Sequence, residues 1–394
     1  MRACRYVFAL FTACVLAGCG RIGFDPRGSG SGHFAYRKTI TIDHTKVGTT
    51  AAMLVDYPLL FTVIDPDLRN LTSGGNVTDP GAADLAFATD DPASCAGTPP
   101  CPLDHEIERY VSSSGELVAW VRIPSLSASA ASSDTQLYIE YGDPMIAGST
   151  ANPTGVWDAS FAGVWHLNDD PTGASPKAHD STKNGNDGTF EGGWTSASQV
   201  TGIAGGSLVF NGVDSHVAIP DQPSLDIGAG GELTVSLWMR STQAPATNIY
   251  PELVNKDDGG VPPRSGFSLM LHAATTAAWF GEEYVTGQEH GCMAVDVADG
   301  VMHQLTLVRA ASTLTQYTDG VSSNYCPSAP VGSLANPYPL QFGAQTGTEV
   351  YPYAGLEDEI RLSRVARSAD WIAAEHANLA SPSTFYSVGP QITQ

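Results

Sequence analysis

Short runs in which apolar residues recur at every second position, each closed by Gly, Pro, Asp or Asn, dominate the chain from Phe34 onward. A period of two is the signature of half-buried strands, and it leaves almost no room for the 3.6-residue repeat of helices. The pattern is plain in Arg37-Lys38-Thr39-Ile40-Thr41-Ile42 and in Ala119-Trp120-Val121-Arg122-Ile123-Pro124. In Thr135 to Gly142, Leu137, Ile139 and Tyr141 share one face. A sheet with one apolar face must bury it against another layer, so the expected class is all-β, built as sandwiches. The 394 residues are enough for two such cores.

The N-terminus reads differently. Arg2 and Arg5 precede a short apolar run from Tyr6 to Leu16, interrupted by Thr12 and too short to span a bilayer as a helix. It ends in Leu16-Ala17-Gly18-Cys19, which resembles the lipobox of bacterial lipoproteins. That resemblance implies a signal peptide over 1–18 and a lipid on the sulfur of Cys19. Acyl chains add about 0.8 kcal/mol per buried CH₂, so two or three chains anchor a protein without a membrane-spanning helix. Gly20, where an Asp usually marks inner-membrane retention in this family, points to the outer membrane or cell surface. The stretch 19–33, with its Arg-Gly-Ser-Gly-Ser-Gly core, reads as a flexible tether.

The formal net charge is −22, and loss of Arg2 and Arg5 with the signal takes it to −24. Such a surface disfavours nucleic acid, because phosphate binding needs the opposite sign. It suits divalent cations. Cys4 and Cys14 leave with the signal, so Cys95, Cys101, Cys292 and Cys326 remain beside the lipidated Cys19. An even number in an oxidising compartment predicts disulfides. Three pairings are open, and spacing favours Cys95–Cys101 with Cys292–Cys326.

Between 34 and 150 the ordered pieces Tyr36 to Ile42, Asp56 to Leu60, Asp84 to Phe87, Leu103 to Glu108, Leu117 to Pro124 and Leu137 to Pro144 resemble an exported bacterial domain family of unknown function. Such domains often precede laminin-G-like modules. From 151 to 390 a second ordered set resembles the laminin-G-like, concanavalin A-like jelly roll: Val164 to Leu167, His179 to Gly188, Gly206 to Val217, Leu233 to Arg240, His303 to Arg309, Tyr317 to Gly320 and Gly355 to Leu362. The resemblance implies two antiparallel sheets, ligand binding on a rim or concave face, and a structural calcium. A short C-terminal helix is expected to start near Ser368, a suitable N-cap, with Asp370 favourable near the helix N-terminus.

Strict alternation along Leu356 to Leu362 puts Leu356, Asp358, Ile360 and Leu362 on one face, with Glu357, Glu359 and Arg361 on the other. A carboxylate among apolar side chains needs a partner, which makes Asp358 the first calcium-ligand candidate. Asp180 and Asp214, at acidic positions of the resembled family, are candidates to join it. Glu357 and Glu359 raise a glycanase hypothesis, but no Asp lies between them on their face, and a solvated charged surface explains them better. No metalloprotease, nucleophile-elbow or phosphate-loop motif occurs. The histidines, His166 among them, are scattered without metal spacing. Trp194, Tyr250, Trp279 and Tyr284 are candidate sugar platforms, although packing is the better reading of each one. The expected function is a lipid-anchored, non-enzymatic binding or adhesion module for glycans or surface proteins. A structural stalk is the rival reading, and a glycan-cleaving enzyme a third.

Overall fold

The computed structural model describes residues 33–394 except 51, 96–98, 132, 175–176, 247, 258–264, 274–276, 286–287, 311–312, 327–331 and 346–350. At 273, 277–278, 280, 282–285, 288–289, 293–294 and 324–326 it describes the backbone alone. The expected signal peptide, Cys19 and its tether up to 32 lie outside the described residues, as do the side chains of Tyr284 and Cys326. Among the described residues no helix is long and apolar enough to cross a membrane.

The expected all-β class is found. The first sandwich comprises β1 (Tyr36–Ile42), β2 (Leu54–Ile64), β3 (Ala86–Thr89), β4 (Cys101–Leu103), β5 (His105–Val111), β6 (Glu116–Leu126) and β7 (Thr135–Tyr141). One turn of helix, α1 (Pro153–Val156), leads into the second sandwich. That begins with β8 (Phe161–Trp165), β9 (Lys177–Ala178), β10 (Gly188–Glu191), β11 (Gln199–Thr201), β12 (Gly206–Asn211) and β13 (His216–Ile219). It goes on through β14 (Leu233–Arg240), β15 (Glu252–Lys256), β16 (Gly266–Ala273), β17 (Ala277–Val285) and β18 (Gln288–Asp296). The remaining strands are β19 (His303–Ala310), β20 (Thr313–Thr318), β21 (Val321–Cys326), β22 (Leu340–Phe342) and β23 (Ala354–Ser363). The chain closes with α2 (Ala369–Ala380), α3 (Pro382–Phe385), β24 (Tyr386–Val388) and β25 (Ile392–Thr393).

In the second sandwich one sheet runs β18-β17-β16-β15-β22-β13-β10-β9, and the facing one β11-β12-β23-β14-β19-β20-β21. In the facing sheet β8 also pairs with β23. Alternation buries Val235, Leu237 and Met239 from β14 and Leu305 and Leu307 from β19 against Phe267, Leu269 and Leu271 from β16. In the first, the sheet β24-β1-β7-β3-β4 faces the sheet β2-β6-β5, with Ile40, Ile42, Phe61, Phe87, Leu137 and Ile139 between them.

The two sandwiches are not joined by a bare linker. Trp157, Phe161 and Val164 at the start of the second, and Trp371, Ala374, Leu379 and Phe385 near the chain end, belong to the same apolar cluster as the first core. The segment expected to end the jelly roll at 390 returns to the first sheet: Ile40, Thr41 and Ile42 pair with Val388, Ser387 and Tyr386. Strand β2 is an edge of its sheet, and helix α2 covers it. The Asn378 side chain accepts from the Leu60 amide (2.8 Å) and donates to its carbonyl (3.0 Å), standing in for a missing strand. Tyr386 does the same at Thr62. Ser368 caps α2 as expected, accepting from the Trp371 amide at 3.2 Å.

Candidate functional site

Where β5 and β6 meet the second sandwich, the side chains change from apolar to charged. The β5–β6 register slips between Ile107 and Arg109, so Glu108 occupies a β-bulge. A bulge re-aims a side chain that alternation would send elsewhere. Two indoles fix the acids here: Trp120 Nε1 donates to Glu108 Oε2 and Trp157 Nε1 to Glu106 Oε2, each at 3.0 Å. Asn168 donates to the other Glu108 oxygen (3.2 Å), and Ser181 to the other Glu106 oxygen (2.7 Å).

A second bulge lies opposite, in β23. Its register with β14 slips between Ser236 and Trp238, and Glu359 takes a left-handed φ of 51°. The alternation expected for 356–362 therefore breaks. Glu357 pairs in register with Leu208 and Met239, both core residues, so it shares their inward face together with Ile360 and Leu362. Asp358 pairs with the outward Trp238. It does not share a face with Ile360, and Glu357 and Glu359 do not share one with each other. Nor are these two acids solvated: Glu357 is 0% exposed and Glu359 1%.

The outward groups of β23 meet those of β5 around His166. The imidazole stacks on Trp120, with ring centroids 5.5 Å apart. Its Nδ1 lies 2.8 Å from Glu359 Oε1 and 3.9 Å from Glu108 Oε2, and its Nε2 lies 3.5 Å from Glu106 Oε2. Arg361 holds Glu359 at 2.8 Å and Glu375 of α2 at 2.7 Å, with its guanidinium over Trp120 and Trp157. Five acids, Glu106, Glu108, Asp358, Glu359 and Glu375, thus surround His166 and Arg361, and Arg367 adds a third positive charge felt by Glu375.

Protons respond to that imbalance. Burial would lower the His166 pKa, but Glu359, Glu106 and Glu108 together hold it well above the ordinary value. Burial likewise disfavours ionised Glu359, yet His166 and Arg361 overcome it and keep the group anionic. Glu108 is pushed up to about 7, chiefly by burial and only partly offset by His166. Asp358 is raised well above the usual carboxylate range by burial and by Glu359 and Glu108. Its Oδ2 accepts from the Ile203 amide at 2.6 Å, and its Oδ1 has no hydrogen-bond partner among the described residues.

The 202–206 loop closes over these acids, and glycine makes the approach possible. A Cβ on Gly202 would sit 2.1 Å from Asp358 Oδ2, and one on Gly205, at φ +53°, 2.0 Å from Glu108 Oε1. Beside the loop a cleft of about 390 Å³ opens between the sandwiches, lined by Glu108, Arg109, Asn168, Gln199, Thr201 and the Gly205–Gly206 backbone. Glu108 connects it to the buried cluster.

The residues expected to hold calcium do not converge. Asp180 is saturated by the amides of Thr182 and Asn186 and the Thr182 hydroxyl of its own loop and by the Val164 amide of β8. Asp214 spans the 211–215 turn, accepting from Gly193 and Asn211. Asp358 stands in the inter-domain cluster. No two of them fall in a common group of potential metal donors among the described residues, so this trio does not fit calcium. The group that does form is Glu108, His166 and Glu359, whose donor atoms lie within 4.8 Å of one another. Scattered sequence positions hid it; the signal available was a pair of acids, Glu106 and Glu108, inside a strand-like run.

Of the expected platforms, Trp279 is fully buried, with Nε1 donating to Thr318. It is a core residue. Trp194 is half-buried, edge-on to Phe190 and Phe210. Tyr250 is half-buried too, packing edge-on to His272 and Tyr351. Cys95 and Cys101 form the expected disulfide, with Cα atoms 5.6 Å apart. Cys292 is disulfide-bonded as well.

Against known proteins, a family model matches within the second sandwich. Residues 211–373 match the concanavalin A-like lectin/glucanases superfamily. The chain is also similar to calsyntenin-3 of Danio rerio, with 28% identity over 166 residues, 38% of this chain and 17% of calsyntenin-3. The chain therefore spans less than a fifth of that relative. Among solved structures, the binding domain of Paraclostridial Mosquitocidal Protein 1 is similar with a TM-score of 0.45 and 13% identity, over 56% of this chain and 53% of that one. Domain 4 of an extracellular arabinanase from Geobacillus stearothermophilus, solved with arabinotriose, gives 0.39 and 20%, over 55% of this chain and 98% of that one.

Proposed function

We propose that the chain is an exported, lipid-anchored binding module that captures glycans, in the cleft between its two sandwiches, without cleaving them. The observation that carries this reading is the chemistry of the cleft wall. Arg109, Asn168, Gln199 and Thr201 offer guanidinium, amide and hydroxyl groups around a volume of about 390 Å³. Clefts of a few hundred Å³ with convergent polar groups are the usual form of small-ligand sites. Such a wall matches a polyhydroxylated ligand, whose hydroxyls each need a donor or acceptor once removed from water. The two acids that raised the glycanase hypothesis do not serve the cleft as a pair: Glu357 faces the sandwich core, and Glu359 is tied to His166 and Arg361. The superfamily match of the second sandwich and the lipobox-like N-terminus support a displayed module of this kind.

A glycan array probed with the full chain tests the reading. Binding to a defined subset is expected, and both Arg109→Ala and Gln199→Ala should weaken it at least tenfold. An array without signal would overturn it in favour of a structural envelope protein. Release of reducing ends from a bound polysaccharide would overturn the non-enzymatic part.

A further inference from the structure

The inter-domain cluster holds more acid than its cations balance, and its geometry has the form of a coordination shell. His166 turns Nδ1 toward Glu359 Oε1 (2.8 Å) and Glu108 Oε2 (3.9 Å), and Nε2 toward Glu106 Oε2 (3.5 Å). Metal-bound imidazoles present one ring nitrogen to the ion while the other faces an orienting carboxylate. Glu106 occupies that orienting place. A second, independent observation is Asp358, next to Glu359 in the strand and 0% exposed, whose Oδ1 has no hydrogen-bond partner among the described residues. An unpaired acid oxygen in a fully buried site is costly unless a proton or a cation meets it.

We propose that Glu108, His166 and Glu359 form a binding site for one divalent transition-metal ion of the Zn²⁺ type, reached through the inter-domain cleft. An imidazole ligand selects against Ca²⁺ and Mg²⁺, which take oxygen donors, and favours Zn²⁺ and its first-row neighbours. Three protein ligands leave a fourth position for water entering along Glu108, which both lines the cleft and belongs to the donor group. The ion would tie β5 of the first sandwich to β23 and the segment just after β8 in the second. This differs from the calcium expected from the jelly-roll resemblance in ligands, in metal and in place.

The test uses the untagged full chain, stripped with chelator and dialysed against Zn²⁺ alone, with elemental analysis and melting temperature as readouts and no glycan present. One equivalent of Zn²⁺ per chain and a raised melting temperature are expected, with Ca²⁺ and Mg²⁺ giving neither. His166→Gln and Glu108→Gln should each weaken Zn²⁺ binding at least tenfold, while Asp214→Asn leaves it unchanged. If His166→Gln does not fold, Glu108→Gln decides, since it keeps the shape and hydrogen-bonding capacity of the side chain. No bound Zn²⁺ in the parent chain, or undiminished binding in Glu108→Gln, overturns the proposal. Neither outcome bears on glycan capture, which is read separately.

Discussion

Strand β23 has two faces that are held in place by different physics. Inward, Ile360 and Leu362 join a core of Val235, Leu237, Leu269 and Phe342, where area removed from water is the main stabiliser. Outward, Asp358, Glu359 and Arg361 meet Glu108, His166 and Glu375, where each charge depends on a particular partner. An apolar core tolerates any side chain of about the right volume. A buried charge cluster does not, because removing one partner leaves the other uncompensated. The sandwich interior is thus generic, and the domain boundary is specific.

The largest effect should come from breaking the specific side. Arg361→Ala leaves Glu359 and Glu375 without their shared cation and is expected to destabilise the chain by about 3–5 kcal/mol in denaturant unfolding. A loss below about 1 kcal/mol would mean that the boundary is no more sensitive than an ordinary surface pair. Gly205→Val comes next. Its first carbon would overlap Glu108 Oε1 and require a left-handed φ, so a cost of about 1–3 kcal/mol is expected together with a disturbed cleft. Unchanged stability and unchanged glycan binding would show that the 202–206 loop does not pack as described.

The generic side predicts the opposite sign. Glu357 lies among apolar side chains with neither oxygen hydrogen-bonded among the described residues, and burial holds its pKa well above the ordinary value. Glu357→Met should stabilise by about 1–3 kcal/mol near neutral pH. A raised carboxyl pKa means the folded state keeps a proton that the unfolded state gives up. The stability linked to that proton is complete below the ordinary Glu pKa and is lost as pH rises toward the elevated folded value. The advantage of Met should therefore widen between pH 4.5 and 8, and a gap that narrows would contradict the assignment.

The smallest effect belongs to Asp370, which accepts from the amides and hydroxyls of Thr49 and Thr50 and so ties α2 to the first sandwich. Burial opposes its ionised form, but these hydrogen bonds outweigh it and hold its pKa below the ordinary value. The associated stability is present above the unfolded-state pKa and is lost as pH falls through the folded one. Asp370→Asn should cost about 1 kcal/mol at neutral pH and flatten the acid limb of the stability profile.

These contrasts also explain what could be read in the sequence. Runs such as Arg37 to Ile42 and Leu233 to Arg240 declare strands because burial on one face repeats locally every two residues. Ser368 announces a helix start for the same local reason. The alternation of 356–362 misleads because a bulge at Glu359 shifts the phase, and no turn residue marks it. The returning strand Tyr386–Val388 was invisible because its partner, Ile40 to Ile42, lies more than 300 residues away. His166 looks isolated in the chain because Glu108 and Glu359 come to it from two other strands, on different sandwiches. Local patterns report local forces, and the domain boundary is built from distant ones.

The charged boundary should make the two sandwiches fold as one unit. Denaturant unfolding followed by far-ultraviolet circular dichroism and by tryptophan fluorescence, with Trp120 and Trp157 at the boundary and Trp165 and Trp279 in the second core, tests it directly. The two probes should report a single coincident transition in the parent chain. Two separate midpoints, with the second sandwich still folded after the boundary tryptophans are exposed, would contradict it.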